Sequence, residues 1–109
     1  MKIDLQRLYD SSDDFFSLNG SIVMKLSADA AISVCERATQ KGLVIVRIEG
    51  GIWHSPGFEA RLDCIWDGVD PLVDVDAAEQ NNLAAAEFIR AETQVHDVFI
   101  VTAQQTIGC

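Results

Sequence analysis

Apolar and polar positions divide most of the chain into six elements. Residues 21–26 (SIVMKL) form a short β-type run. Residues 28–41 follow as a helix, because Ala31, Val34, Cys35 and Ala38 fall at i, i+3, i+4 and i+7. Ser27 suits its N-cap, Asp29 suits its first turn, and Gly42 supplies its stop. Residues 43–48 (LVIVRI) are β-branched and read as a buried strand. Residues 49–57 carry three glycines and read as a long connection. Over 58–66 the pattern alternates, which turns Phe58, Ala60, Leu62, Cys64 and Trp66 toward the core. Residues 67–76, broken by Gly68 and Pro71, read as an acidic loop. Asp76 is a candidate N-cap, with Glu79 at N3, for a helix over 77–94 that has Leu83, Ala86, Ile89 and Arg90 on one side. Residues 96–103 (HDVFIVTA) form the last strand, and 104–109 read as a frayed tail.

Residues 1–20 are less regular and read as an N-terminal extension. Ile3, Leu5 and Leu8 suit a helical turn or a short strand, and Ser11-Ser12-Asp13-Asp14 reads as a break. Phe15, Phe16 and Leu18 are expected to pack on the body, and Asn19-Gly20 marks a turn. The order β-α-β-β-α-β over 21–109 predicts one α+β domain in two layers. Its sheet is antiparallel with about four strands, and two helices pack on one face in a split βαβ arrangement.

Composition sets limits on function. With 109 residues, 49% of them apolar and 23% charged, the chain suits one folded domain. Its longest apolar runs of four or five residues fall far short of a membrane span. No apolar signal region follows Met1, so the expected location is the cytoplasm, with no membrane partner.

Charge changes the picture more. Seventeen acidic against eight basic residues leave a net charge of −9. Such a surface repels phosphate backbones, which disfavours direct nucleic-acid binding, and attracts basic partners. Residues 24–62 are near neutral, with five basic and four acidic groups. Residues 63–89 carry Asp63, Asp67, Asp70, Asp74, Asp76, Glu79 and Glu87 with no Lys, Arg or His. Solubility alone does not require that clustering, whereas an electrostatic docking surface does.

Catalytic chemistry is poorly represented, and the expectation is no enzyme. Cys35, Cys64 and Cys109 are widely spaced, which predicts neither a disulfide framework nor a metal site, and Cys35 reads as a core residue. A His54/Cys64 dyad has no support in spacing, and the glycines at 50, 51 and 57 make no phosphate loop. The acidic loop lacks the ligand order of an EF-hand, and no cofactor is expected. Binding chemistry is better represented: Trp53 and Trp66 flank the strand that leads into the acidic loop. Each Trp also suits a partly buried core position. Three classes stay open on these residues: a protein-binding inhibitor, a small acidic enzyme or ligand-binding domain, and a DNA-mimicking regulator.

A resemblance separates them. Met24-Lys25-Leu26-Ser27, Ala30-Ala31-Ile32, Val34-Cys35 and Lys41-Gly42-Leu43 are similar to the colicin-E5 immunity family. So are Gly50-Gly51, Trp53, Pro56-Gly57-Phe58, Asn81-Asn82-Leu83-Ala84 and Phe99-Ile100-Val101-Thr102. The string G-G-x-W-x-x-P-G-F is the most specific of these, and the similarity spans roughly residues 24–103. Immunity proteins of contact-dependent inhibition systems with related tRNA-cleaving toxins are further candidates for relatives. The first 23 residues have no counterpart in the colicin protein, and the acidic loop matches less closely.

The resemblance implies a protein that protects a bacterium from its own toxin, a ribonuclease that cuts particular tRNAs at the anticodon. It implies a one-to-one complex with the toxin's C-terminal ribonuclease domain, in which the tRNA cleft is occupied. On that footing Trp53, Phe58 and Trp66 are the expected anchors. Asp63, Asp67, Asp70, Asp74 and Asp76 are the expected phosphate mimics, with Glu49 and Glu59 secondary.

Overall fold

The computed structural model describes residues 8–17, 22–54, 57–68, 75–93 and 96–105. Within them lie α1 (Ser12–Phe16), β1 (Ile22–Ser27), α2 (Ala28–Arg37), a 3-10 turn (Thr39–Lys41), β2 (Leu43–His54), β3 (Gly57–Asp67), α3 (Val75–Glu92) and β4 (Val98–Gln105). The sheet order is β1-β4-β2-β3, with every neighbouring pair antiparallel. β1 and β2 therefore run parallel with β4 between them, and β3 and β4 run parallel with β2 between them. Each crossover helix closes a split βαβ unit, as the element order predicts.

Local signals place the first crossover. The Ser27 hydroxyl accepts the Ala30 N–H at 3.4 Å and caps α2. Gly42 takes φ +71°, the left-handed conformation that ends a helix, and donates to Thr39 O at 3.1 Å. The helix expected over 28–41 is shorter as an α-helix, since its last turn tightens to 3-10 geometry.

The core lies between the helices and one face of the sheet. Met24, Leu26, Val34, Cys35, Ile45, Ile48, Ile89, Phe99 and Val101 are fully buried there. β2 carries a register shift between Ile45 and Arg47 against β4, which moves its inward positions from Leu43 and Ile45 to Ile48. Among the described residues of β3 the predicted alternation holds: Cys64 is buried, Ile65 is exposed, and Trp66 is half-buried against the core.

Residues 8–17 belong to this core. Tyr9 donates to Lys25 O at 2.9 Å and accepts from Ser27 N at 3.0 Å, forming a one-residue bridge on the edge of β1. Phe15 is fully buried and meets the Phe16 ring edge-on at 5.6 Å, so the expected packing of both rings is found. Leu18 lies outside the described residues.

Five expectations need correction. The Ser11–Asp14 stretch is no break: the Ser11 hydroxyl accepts the Asp13 N–H and caps α1, a third helix. Residues 49–54 continue β2 rather than forming a connection, and Gly50 serves close packing there. A Cβ at Gly50 would stand 2.2 Å from Cys64 Sγ. α3 starts at Val75, so Asp76 is a first-turn residue and no N-cap. The inner face of α3 is Ala78, Asn81, Asn82, Ala85, Ala86 and Ile89, while Leu83 is half exposed. Gln104 and Gln105 pair with Val44 and Leu43 in the ladder, so the described part of the tail is ordered strand.

Candidate functional site

The open face of the sheet carries two of the described acidic candidates, Glu49 and Asp67. Arg47 and Asp67 are opposite each other across β2 and β3, and Glu49 faces Ile65. These four side chains point away from the helices, since Ile48 and its partner Trp66 point toward the core. Arg47 Nε donates to Glu49 Oε1 at 2.7 Å, and its Nη1 donates to Asp67 Oδ1 at 2.7 Å. The hydrogen bond to Glu49 chiefly, with Asp67 adding to it, raises the Arg47 pKa above its usual value. The guanidinium thus stays charged and holds two carboxylates side by side. Asp67 remains the more open of the two, with 68% of its side chain exposed against 37% for Glu49.

Gly68 and Asn81 are both fastened to the same short stretch of β2. Gly68 N–H donates to Val46 O at 2.9 Å, and Asn81 Nδ2 donates to Ile45 O at 2.8 Å. Gly68 sits so close that a Cβ there would lie 2.2 Å from Ile45 O. Asp76 is exposed in the first turn of α3, where a carboxylate suits the positive helix end. Glu79 and Glu87 are exposed on α3, and Glu87 pairs with Arg90, which also binds Glu36.

Beneath this surface lies a polar contact that periodicity conceals. Asn82 Oδ1 accepts the Ile45 N–H at 2.9 Å, and its Nδ2 donates to Leu43 O at 2.9 Å and Thr39 Oγ1 at 3.0 Å. The amides replace a strand where β3 no longer runs beside β2. Because both Asn are buried, α3 is clamped to β2 and the acidic surface stands on a fixed base.

Glu49, Trp66, Asp67 and Asp76 are the sequence-predicted site residues whose side chains the structure describes. It brings Glu49 and Asp67 together through Arg47, which the sequence reading did not single out. Trp66 lies on the opposite, helix-covered face from Asp67. Trp53 and Phe58 are register partners across β2 and β3, as are Ile52 and Glu59. The side chains of Trp53, Phe58, Glu59 and Asp63 lie outside the described residues, as do Asp70 and Asp74 entirely.

Cys35 is fully buried, and desolvation, aided by Glu36, pushes its thiol pKa up to about 12. That is the state of an inert core thiol. Among the described residues Cys64, Glu92 and His96 form one group with metal-capable side chains. Among the described residues no helix is long and apolar enough to cross a membrane.

The family described as "Colicin-E5 Imm protein" matches residues 24–104. The "Immunity protein CdiI" of Burkholderia pseudomallei is 79% identical over 108 residues, 99% of each chain. The "Colicin-E5 immunity protein" of Escherichia coli is 39% identical over 80 residues, 72% of this chain and 96% of that protein. The "Colicin-E5 immunity protein in ColE9", also of Escherichia coli, matches to the same extent. The first of these relatives spans residues that the family match leaves out at the N-terminus, including the Tyr9–Phe16 stretch built into the core.

Proposed function

The chain belongs to the colicin-E5 immunity family, and from that premise we propose how it acts as an immunity protein. It binds the C-terminal ribonuclease domain of a tRNA-cleaving toxin, one to one, in the cytoplasm of the producing cell. It is no enzyme; it inhibits by filling the cleft that tRNA would occupy.

The observation that carries this reading is the unbalanced acidic stretch 63–89. A cleft built for a polyanion is basic, and a dense negative surface is steered toward it, with association near ~10⁸ M⁻¹s⁻¹ at low salt. Support comes from Asp67, exposed and held by Arg47, and from Asp76, exposed in the first turn of α3, a helix that Asn81 and Asn82 clamp to β2. Carboxylates held in place lose little freedom on docking, which favours a slow off-rate. Asp63, Asp70 and Asp74 extend the same run of phosphate mimics, and Glu49 and Glu59 lie at its side. Trp53 and Phe58, opposite each other at the β2–β3 hairpin end, are the proposed anchors together with the exposed part of Trp66.

A direct test is displacement of labelled anticodon stem-loop RNA from a catalytically inactivated ribonuclease domain. Wild-type protein should release the RNA stoichiometrically. A ternary complex that retains the RNA would reject cleft occupation, while leaving binding to the toxin intact.

A further inference from the structure

We propose that Cys64, Glu92 and His96 form a binding site for a thiophilic divalent cation of the zinc class. The three residues come from β3, the last turn of α3, and the residue pair that precedes β4. One ligand atom from each lies within 4.8 Å of the others. A tetrahedral zinc ion, with bonds of about 2.0–2.3 Å, sets its ligand atoms roughly 3.5 Å apart. The three groups need to close in by about an ångström, a rotamer-scale adjustment.

Local structure gathers them. His96 N–H donates to Glu92 O at 2.8 Å, which turns the chain back on the helix end and brings ring and carboxylate together. Asp97 N–H donates to Gly51 O at 3.1 Å and pins the start of β4 beside β2. The register of β2 against β3 shifts between Glu49 and Gly51, and Cys64 lies in the irregular part of β3. Its Sγ occupies the space that a side chain at Gly50 would need.

A second observation points to a ligand. His96 is 95% buried, yet its Nδ1 has no hydrogen-bond partner. Glu92 Oε2 lies 3.2 Å from that nitrogen without the alignment of a hydrogen bond. A buried polar atom left in this state is costly. A cation placed among the three groups would coordinate that nitrogen directly.

Donor chemistry selects the ion. Thiolate, imidazole and carboxylate together suit zinc, while magnesium and calcium prefer all-oxygen sets. The charges also balance: a 2+ ion, one thiolate and one carboxylate sum to zero, which suits a buried position. The Cys64 thiol gives its proton to solvent on binding, so affinity falls as the pH is lowered. Three protein ligands leave a fourth position for water. Spacing in the sequence hides the site, because Cys64 and Glu92 are 28 positions apart and on different elements.

The experiment uses the full chain, reduced and stripped with a chelator, then titrated with Co²⁺ as the optical probe and Zn²⁺ as competitor. One Co²⁺ per chain should bind with a thiolate-to-cobalt charge-transfer band, and Zn²⁺ should abolish it. Cys64→Ser should lose the band, and His96→Gln and Glu92→Gln should weaken binding at least about tenfold. Glu92 is partly exposed, so its variant keeps the test open if Cys64→Ser fails to fold. Zn²⁺ at about a hundredfold over its Kd should raise Tm by roughly 10–15 °C. No charge-transfer band in the wild type would overturn the proposal. So would a band that survives in folded Cys64→Ser, since Cys35 or Cys109 would then be the ligand. Equal affinity in wild type and Glu92→Gln would overturn it as well. Toxin binding is measured apart from all of these, so neither result decides the other.

Discussion

Asn81 and Asn82 meet β2 at Leu43 and Ile45; Arg47, Glu49 and Asp67 gather on it two residues further along. The first group is buried and its amides bond backbone groups on the same strand. The second is open to water, with Arg47 itself 41% exposed. A buried amide that loses its partner leaves backbone groups unsatisfied, and the fold bears the cost. An exposed ion pair is already solvated and contributes little to stability. The same strand therefore carries one polar cluster that holds the fold and another that a partner can remake at small cost. An inhibitor needs that division, because a docking surface must give up its own contacts without losing its shape.

The comparison breaks first at Asn82. Asn82→Ala removes the partners of Ile45 N–H and Leu43 O, so unfolding free energy should fall by about 2–4 kcal/mol in urea titration. Below its midpoint the variant should still bind the ribonuclease domain. Loss of affinity with stability unchanged would place Asn82 in the interface instead.

Trp66 stands between the two groups. Trp66→Ala should cost about 2–3 kcal/mol of stability, less than a fully buried Trp, because the ring is only half covered. As a toxin contact it should also raise the off-rate more than it lowers the on-rate, read by stopped-flow and surface plasmon resonance. Affinity that declines only in proportion to Tm would make it a core residue alone.

Reversing charge at Asp67, Asp70 and Asp74 addresses the open cluster. Association should slow by about tenfold or more at low salt, with a flatter salt dependence than wild type. For Asp67 alone, stability should change by less than about 0.5 kcal/mol, since its ion pair is exposed. Unchanged association in the triple variant would remove the acidic segment from the mechanism.

Arg47→Gln is the mildest probe. It releases Glu49 and Asp67 from their shared counter-charge, so the on-rate should rise by roughly twofold while Tm stays within a few degrees. A slower on-rate would mean that holding the two carboxylates side by side matters more than the added negative charge.

Much of the scaffold was legible because its signals are local. The Ser27 cap, the left-handed Gly42 and the element order each depend on a few neighbouring residues. The misreadings share another cause, a residue type whose purpose is set by a distant partner. The glycines of 49–57 suggested a long connection, but Gly50 makes room for Cys64 from another strand. The apolar pattern put Leu83 on the inner face of α3, whereas Asn81 and Asn82 take that face because their partners lie on β2. Arg47 was not singled out, because Asp67, one of its two partners, lies on another strand. The acidic run itself was visible from composition, since net charge needs no geometry. That Gly68 and Asn81 meet the same stretch of β2 was not.

The account depends on a negative surface taking the place of tRNA in a basic cleft. Its most direct test is tRNA cleavage by the active ribonuclease domain as a function of added protein and of tRNA concentration. The prediction is that cleavage ceases at one protein per ribonuclease domain, and that excess tRNA slows the onset of inhibition. Cleavage that persists at several-fold excess of protein, or inhibition whose onset ignores tRNA concentration, would contradict it.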